Sequence, residues 1–304
     1  MSARKEYWLS YSSYKLYNEC PQHYRWRKVD KKDPPVPDSR HNAVVGSVVQ
    51  RVYEDFYNVE LWRKGADTSS ALMDLVPKYF YEYLDNEYVN FDDVTCPYTM
   101  EDLLGMCEEM VPRVLQGIKD HGLLGPYARS EVTVRAHLEK NFFMFGRVDF
   151  VIRKADGTLL LIDGKASKHR EKYVDEEQLL FYALAFSIMH GKIPDKLGFF
   201  FYHFADEGER AFDWIEPTPE RLAALRVKVQ DTFTKIQRTW FRATPSGSAC
   251  KYCEFENMCP ERQAILTKKR AKRRWNKIEN GVEVVPETET DEAFIGFGGK
   301  VVED

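Results

Sequence analysis

The 304-residue sequence contains no apolar run approaching the roughly 18–20 residues needed to span a bilayer, so no membrane segment is expected. Its first residues, Met1-Ser2-Ala3-Arg4-Lys5-Glu6, lack the apolar stretch of a secretory signal, and an intracellular protein is expected. Net charge is also scant. The 44 Lys and Arg against 48 Asp and Glu leave −4, which excludes a globally basic chain and leaves any polyanion-binding surface to local patches. No segment repeats, and there is no P-loop or helicase motor signature, so ATP-driven work would fall to another chain. Cysteine is sparse: six residues at uneven spacing in an intracellular chain argue against a disulfide framework. What is plentiful is apolar surface. At 43% hydrophobic and 14% aromatic, the chain can bury the core of one large domain, with or without an insertion.

Four of the cysteines are placed as metal ligands would be. Cys20 precedes Pro21 near the N-terminus, and Cys250-x2-Cys253-x5-Cys259 precedes Pro260 near the other end. A C-x2-C pair lets two thiolates share a centre, and four cysteines serve either zinc or an iron–sulfur cluster, with spacing alone modestly favouring zinc. Cys96 and Cys107 read as ordinary buried residues.

Along the chain, Ser12 or Ser13 can cap a short helix that delivers Cys20. A proline-rich loop, Asp33-Pro34-Pro35-Val36-Pro37, follows. Val45, Val48, Val49, Val52 and Phe56 recur at helical spacing within a helix from about 41 to 62, and residues 67–125 read as a helical insertion. The period then changes. Residues 131–136, 142–153 and 158–165 predict a three-strand meander, with Ala155-Asp156-Gly157 as the last turn. A helix over 174–190, a strand over 197–202 and a long helix over 219–241 complete an α/β core ordered helix, three strands, helix, strand. Residues 1–262 are expected to form the main domain, and 263–304 a basic helix end with an acidic, flexible tail.

Within the meander, Asp149 and Asp163-Gly164-Lys165 interrupt apolar strands. Asp163 and Lys165 stand two apart and share a face, and buried charges cost several kcal/mol each unless they bind something. A divalent cation and a phosphate account for both carboxylates and the lysine, which points to metal-dependent phosphodiester chemistry; a buried ion pair with a spare acid is the alternative. Gln178 and Tyr182, four apart on the following helix, share one face of it.

Taken in order, Cys20-Pro21-x2-Tyr24, Gly46 to Tyr57, Gly146-Arg147-Val148-Asp149, Asp163-Gly164-Lys165, Gln178-x3-Tyr182 and Cys250-x2-Cys253-x5-Cys259-Pro260 carry a resemblance. Over about residues 10–262 the chain resembles the PD-(D/E)XK nuclease superfamily. The closer likeness is to its RecB-like branch with a four-cysteine iron–sulfur cluster, which includes CRISPR-associated exonucleases, the AddB nuclease domain and many phage exonucleases. The resemblance implies a restriction-endonuclease-like core, a helical insertion and a [4Fe-4S] cluster on Cys20, Cys250, Cys253 and Cys259 that staples the two ends of the domain. It makes Asp149, Asp163 and the Gly164 carbonyl ligands of Mg²⁺ or Mn²⁺, Lys165 the group that orients the attacking water, and Gln178 and Tyr182 the helix side of the cleft. It further implies a DNA exonuclease acting on single-stranded ends in recombination, repair or phage DNA processing, in the cytoplasm of a bacterial or phage-infected cell.

One position departs from that pattern. Many RecB-like relatives carry a metal-binding histidine four residues after the helix glycine, whereas Gly46-Ser47-Val48-Val49 here leads to Gln50, a weaker neutral donor. Gln50 and Glu131 stand as secondary metal candidates, with Glu54 behind them. The substitution keeps open a DNA-binding subunit with weak or lost cleavage. Lys28, Lys31 and Lys32, the stretch Lys168 to Lys172, and Lys268 to Arg274 are candidate phosphate grips. Phe294, Ile295 and Phe297 in the acidic tail suggest a docking peptide for a replication or recombination protein.

Overall fold

The computed structural model describes residues 6–33, 40–92, 96–251 and 253–279. Pro34, Pro35, Val36 and Pro37 of the proline-rich stretch, and the acidic tail with Phe294, Ile295 and Phe297, lie outside the described residues. In chain order the elements are β1 (Tyr7–Leu9), α1 (Tyr11–Glu19), α2 (Pro21–Tyr24), α3 (Val44–Asn58), α4 (Thr68–Asn86), α5 (Met100–Asp120), β2 (Tyr127–Glu139), β3 (Phe142–Arg153) and β4 (Leu159–Lys165). They continue with α6 (Arg170–Tyr173), α7 (Glu176–His190), β5 (Lys196–Phe201), β6 (Phe212–Ile215), α8 (Pro219–Gln237), α9 (Gly247–Lys251) and α10 (Pro260–Glu279). This is a mixed α/β chain with a restriction-endonuclease-like core.

Two compact units are present, one formed by Met1–Lys15, Asp38–Phe91 and Tyr98–Trp240, the other by Leu16–Pro37, Asp92–Pro97 and Phe241–Asp304. The larger holds a six-stranded mixed sheet in the order β1-β3-β4-β5-β6, with β2 along the other edge of β3. β2 and β3 form a long antiparallel hairpin, while β4 runs parallel to β5, as the crossover through α7 requires. β1 and β4 share one edge of β3: β1 pairs at 142–144 and β4 only at 150–153. Between them, Phe145 to Asp149 have no strand partner on that edge among the described residues, and β3 and β4 fork apart just beyond the Phe150–Ile162 pair.

Apolar periodicity decides what covers the sheet. Val48, Val49, Val52 and Phe56 of α3, Leu72 and Val76 of α4, and Val111, Val114 and Ile118 of α5 pack with Phe150, Ile152, Leu160, Ile162 and Phe200 in one buried cluster. Helix α7 is apolar around most of its circumference, with Leu179, Leu180, Phe181, Ala183 and Leu184 buried, because it packs on both the sheet and α8. Local signals set the helix ends. Thr99 and Asp102 form a capping box at α5, Thr218 with Pro219 opens α8, and Gly191 closes α7 at φ 68°.

The cap of α1 is Ser10, whose Oγ accepts from the Ser13 amide at 3.2 Å, rather than Ser12 or Ser13. The tyrosines of α1 brace the site helix. Tyr11 Oη and Lys15 Nζ meet Asp175, at the start of α7, at 2.6 and 2.8 Å, and Tyr11 and Tyr14 pack on Phe181.

In the smaller unit, Tyr17, Tyr24 and Phe241 form one aromatic cluster, and Trp26 and His23 pack edge-on against Phe255. Thr244 Oγ1 donates to the Glu19 carbonyl at 2.8 Å, tying the late segment to the early one. Cys107, in the larger unit, is buried in α5 and its thiol is pushed up to about 12 by desolvation, as befits a packing residue. Cys96 is also buried.

Candidate active site

The fork between β3 and β4 brings the site together. Had the antiparallel ladder continued one step, Asp149 would face Asp163 across it; instead the Asp149 carboxylate accepts the Gly164 amide at 2.8 Å and both acids stand at the mouth of the opening. On β2, Glu131 sits between Ser130 and Val132, which pair with Phe150 and Val148 on either side of Asp149, and is itself in left-handed backbone at φ 55°. Adjacent strands thus contribute one carboxylate each.

Lys165 Nζ lies 2.5 Å from Asp163 Oδ2, and the Asp163 Oδ1 accepts from Gln178 Nε2 at 2.9 Å. The Gln178 amide also accepts from Lys165 at 3.3 Å and donates to Tyr182 Oη at 3.2 Å. One side chain of α7 therefore orients the acid, the lysine and the tyrosine. Tyr182 packs so closely on β3 that a Cβ at Gly146 would fall 2.7 Å from its ring, which accounts for the glycine of Gly146-Arg147-Val148-Asp149.

Gln50 reaches the cluster through hydrogen bonds. Its Oε1 accepts from Tyr202 Oη at 2.6 Å and its Nε2 donates to Glu131 at 2.9 Å. The amide is engaged at both ends, which makes it an orienting group for Glu131. Arg147 pairs with the same carboxylate at 3.3 Å. Glu54, by contrast, is ion-paired to Arg51 on α3. In the basic stretch after β4, Arg170 is tied to the Arg210 and Phe212 carbonyls and to Asp213, so it braces β6, while Lys168 and Lys172 are exposed.

The electrostatics are those of a site short of positive charge. Burial, followed by the neighbouring Asp163 charge, pushes the Asp149 carboxyl well above the usual range. Asp163 is raised by burial against the opposing pull of Lys165. Tyr182 is pushed up to about 12 by burial. Beyond Lys165 Nζ, Asp163 Oδ2 has no hydrogen-bond donor among the described residues. Buried hard oxygen donors fit a divalent cation.

Tyr202 and Arg147 escaped the sequence reading. The signal for Tyr202 was a hydroxyl-bearing ring closing the apolar run Phe199-Phe200-Phe201. Its place explains Gly164: a Cβ there would come within 1.9 Å of the Tyr202 hydroxyl. Gly164→Ala is therefore expected to shift Tyr202 and break the chain to Gln50 and Glu131, lowering stability by about 1–3 kcal/mol. Denaturant unfolding checks this, and an unchanged midpoint would refute it.

The smaller unit lines a single cavity with all four sequence-assigned cysteines, Cys20, Cys250, Cys253 and Cys259. Their neighbours in the lining include His23, Trp26 and Arg262, and the enclosed space is small, about 20 Å³. His23 Nε2 contacts Glu254 at 2.8 Å, and these two with Cys253 are the described groups whose nitrogen, oxygen and sulfur donors lie within 4.8 Å of one another. Burial pushes the Cys253 thiol up to about 11, and Cys259 rises for the same reason. The four cysteines share this lining, but among the described residues no three of their sulfurs lie within 4.8 Å of one another.

Comparison with known proteins adds the ancestry. The profile of the PD-(D/E)XK nuclease superfamily matches residues 8–260, from β1 to the last of the four cysteines and the proline after it. The chain belongs to the PD-(D/E)XK nuclease superfamily. Among solved structures, one titled "Crystal structure of SSO0001" is similar at a TM-score of 0.39 and 18% identity, covering 85% of this chain and 88% of that one. No curated protein matches. Nucleases of this superfamily act on DNA and typically use divalent metal ions. No helix among the described residues is long and apolar enough to cross a membrane.

Proposed function

We propose that this PD-(D/E)XK chain is a metal-dependent DNA exonuclease that hydrolyses phosphodiester bonds at single-stranded ends, in recombination, repair or phage DNA processing. The observation that carries the reading is the juxtaposition of Asp149, Asp163 and Glu131 with Lys165 where β3 and β4 part. Asp149 and Asp163, with the Gly164 carbonyl, would hold Mg²⁺ or Mn²⁺, and Glu131, bonded to Gln50 and Arg147, would complete the acidic set. A bound ion would supply charge neutralisation at phosphorus and a water of lowered pKa. Lys165, kept in place by Gln178, orients that water and offsets charge on the scissile phosphate. Gln178 also fixes the Asp163 carboxylate, so it couples the acid to the lysine. Cys20, Cys250, Cys253 and Cys259 would hold a [4Fe-4S] cluster whose role is structural, ordering the segments that carry them.

Digestion of end-labelled linear and circular DNA, single- and double-stranded, with Mg²⁺ or Mn²⁺ and with EDTA tests the proposal. Ion-dependent loss of linear single strands with circles spared is the expected result. Cleaved circles would replace the exonuclease assignment with an endonuclease. Binding without digestion under every ion would leave a DNA-binding subunit, the role that a glutamine at position 50 first raised.

A further inference from the structure

One exposed face of the β2–β3 hairpin meets the site just described only through Arg147. From Asp149, β3 continues outward through Arg147, Phe145 and Phe143, residues two apart and so on one side of the strand. Across the hairpin these face Thr133, Arg135 and His137, all exposed, and on the other edge Trp8 of β1 is in register with Phe143. Trp8 stacks on Phe143 with centroids 4.6 Å apart and meets Phe145 edge-on at 6.2 Å. The cluster does not bury itself. Trp8 remains 43% exposed and Phe145 38%, although large aromatics are among the side chains that gain most from burial.

Charge is set beside the rings. Arg135 lies directly opposite Phe145, and Arg147, 69% exposed, stands between Phe145 and the acidic cluster, where it pairs with Glu131. At the far end, Glu6 accepts from Trp8 Nε1 at 3.3 Å. Flat apolar faces flanked by guanidinium groups match the two components of an unpaired polynucleotide: bases that stack and phosphates that need cations. A duplex hides its base faces and could use only the arginines. At about 3.3 Å per residue, Phe145 lies roughly 13 Å along β3 from Asp149, within a few nucleotides of the carboxylates.

We infer that Trp8, Phe143 and Phe145, with Arg135 and Arg147, form a stacking track that holds single-stranded DNA and feeds it to the carboxylate site. The inference rests on the nuclease reading for its direction, but its readout is binding. Arg147 is suited to pass between Glu131 and a phosphate as the strand enters.

The test is fluorescence anisotropy in Ca²⁺, with an oligothymidylate of about 12 nucleotides, within the usual footprint of roughly 4–16, and an abasic strand of the same length. Wild-type protein should prefer the base-bearing strand. Trp8→Ala with Phe145→Ala should weaken oligothymidylate binding on the order of 100-fold, about tenfold per ring, and leave abasic-strand binding unchanged. Trp8→Phe should restore most of the loss attributable to position 8. Equal losses on both strands, unaltered binding, or no single-strand binding by wild type would each overturn the track. Normal discrimination between the strands together with absent cleavage would overturn the nuclease reading and leave the track standing.

Discussion

Asp149→Asn is expected to abolish cleavage while making the metal-free protein more stable. The asparagine keeps the shape and the oxygen that accepts the Gly164 amide at 2.8 Å, so the fork between β3 and β4 should survive. What disappears is a carboxylate raised by burial and by Asp163, that is, a charge the folded chain holds at a penalty unless a cation is present. Loss of that ligand should slow hydrolysis by roughly 10³-fold or more, several kcal/mol in the chemical step. Relief of the repulsion should raise the melting temperature in EDTA by roughly 2–4 °C for each kcal/mol recovered.

The pH dependence has a definite sign. Because the Asp149 carboxyl titrates higher in the folded chain than the unfolded value of about 3.9, the native state retains the proton longer. Its contribution to stability is complete below the unfolded pKa and is lost as pH rises through the raised folded pKa. The advantage of Asp149→Asn over wild type in EDTA should therefore grow as pH increases above about 4, and Mn²⁺ should reverse it by stabilising wild type alone. Thermal melts over a pH series, with and without Mn²⁺, measure this. Undiminished digestion, or a variant that melts below wild type throughout, would be incompatible with the assignment.

The sequence made the strands legible because periodicity and turn chemistry agreed. The 142–153 and 158–165 segments appear as Phe142–Arg153 and Leu159–Lys165, joined through Gly157 at φ 90°, and the helix expected over 174–190 is Glu176–His190. Strand Lys196–Phe201 and helix Pro219–Gln237 likewise match segments whose apolar content is unambiguous. β1 and β6, three and four residues long, were missed because such short strands exist only through their partners. The site divides the same way. Asp163 and Lys165 could be placed on one face from their spacing alone, whereas Gln50 contacting Glu131 and Tyr202 depends on α3, β2 and β5 converging, which no local pattern encodes. Ser10 as the cap of α1 was missed by two residues, the usual uncertainty of a helix end.

Cys20→Ser is expected to have the larger effect on folding, and to have it in the smaller unit. Cys20 follows α1, while Cys250, Cys253 and Cys259 arrive more than two hundred residues later, yet all four line one cavity. A centre joining them closes a very long loop, which by loop-closure entropy is worth about 5 kcal/mol, in addition to the ligand bonds themselves. Besides the cysteines, the walls are His23, Trp26, small residues such as Ala243, Pro245 and Ala249, and the Arg262–Glu256 ion pair at 2.6 Å, contacts that a four-thiolate centre would far outweigh. Without the fourth thiolate, the segments around Tyr24, Phe241 and Phe255 should open together, seen as new proteolytic cleavage and a separate low-temperature transition. Anaerobically purified wild type should carry about four iron atoms per chain and a broad visible absorbance, both lost in Cys20→Ser. Stoichiometric zinc in a colourless wild-type preparation would overturn the iron–sulfur assignment while leaving the four-cysteine centre intact, and an unaltered melt in Cys20→Ser would remove Cys20 from that centre.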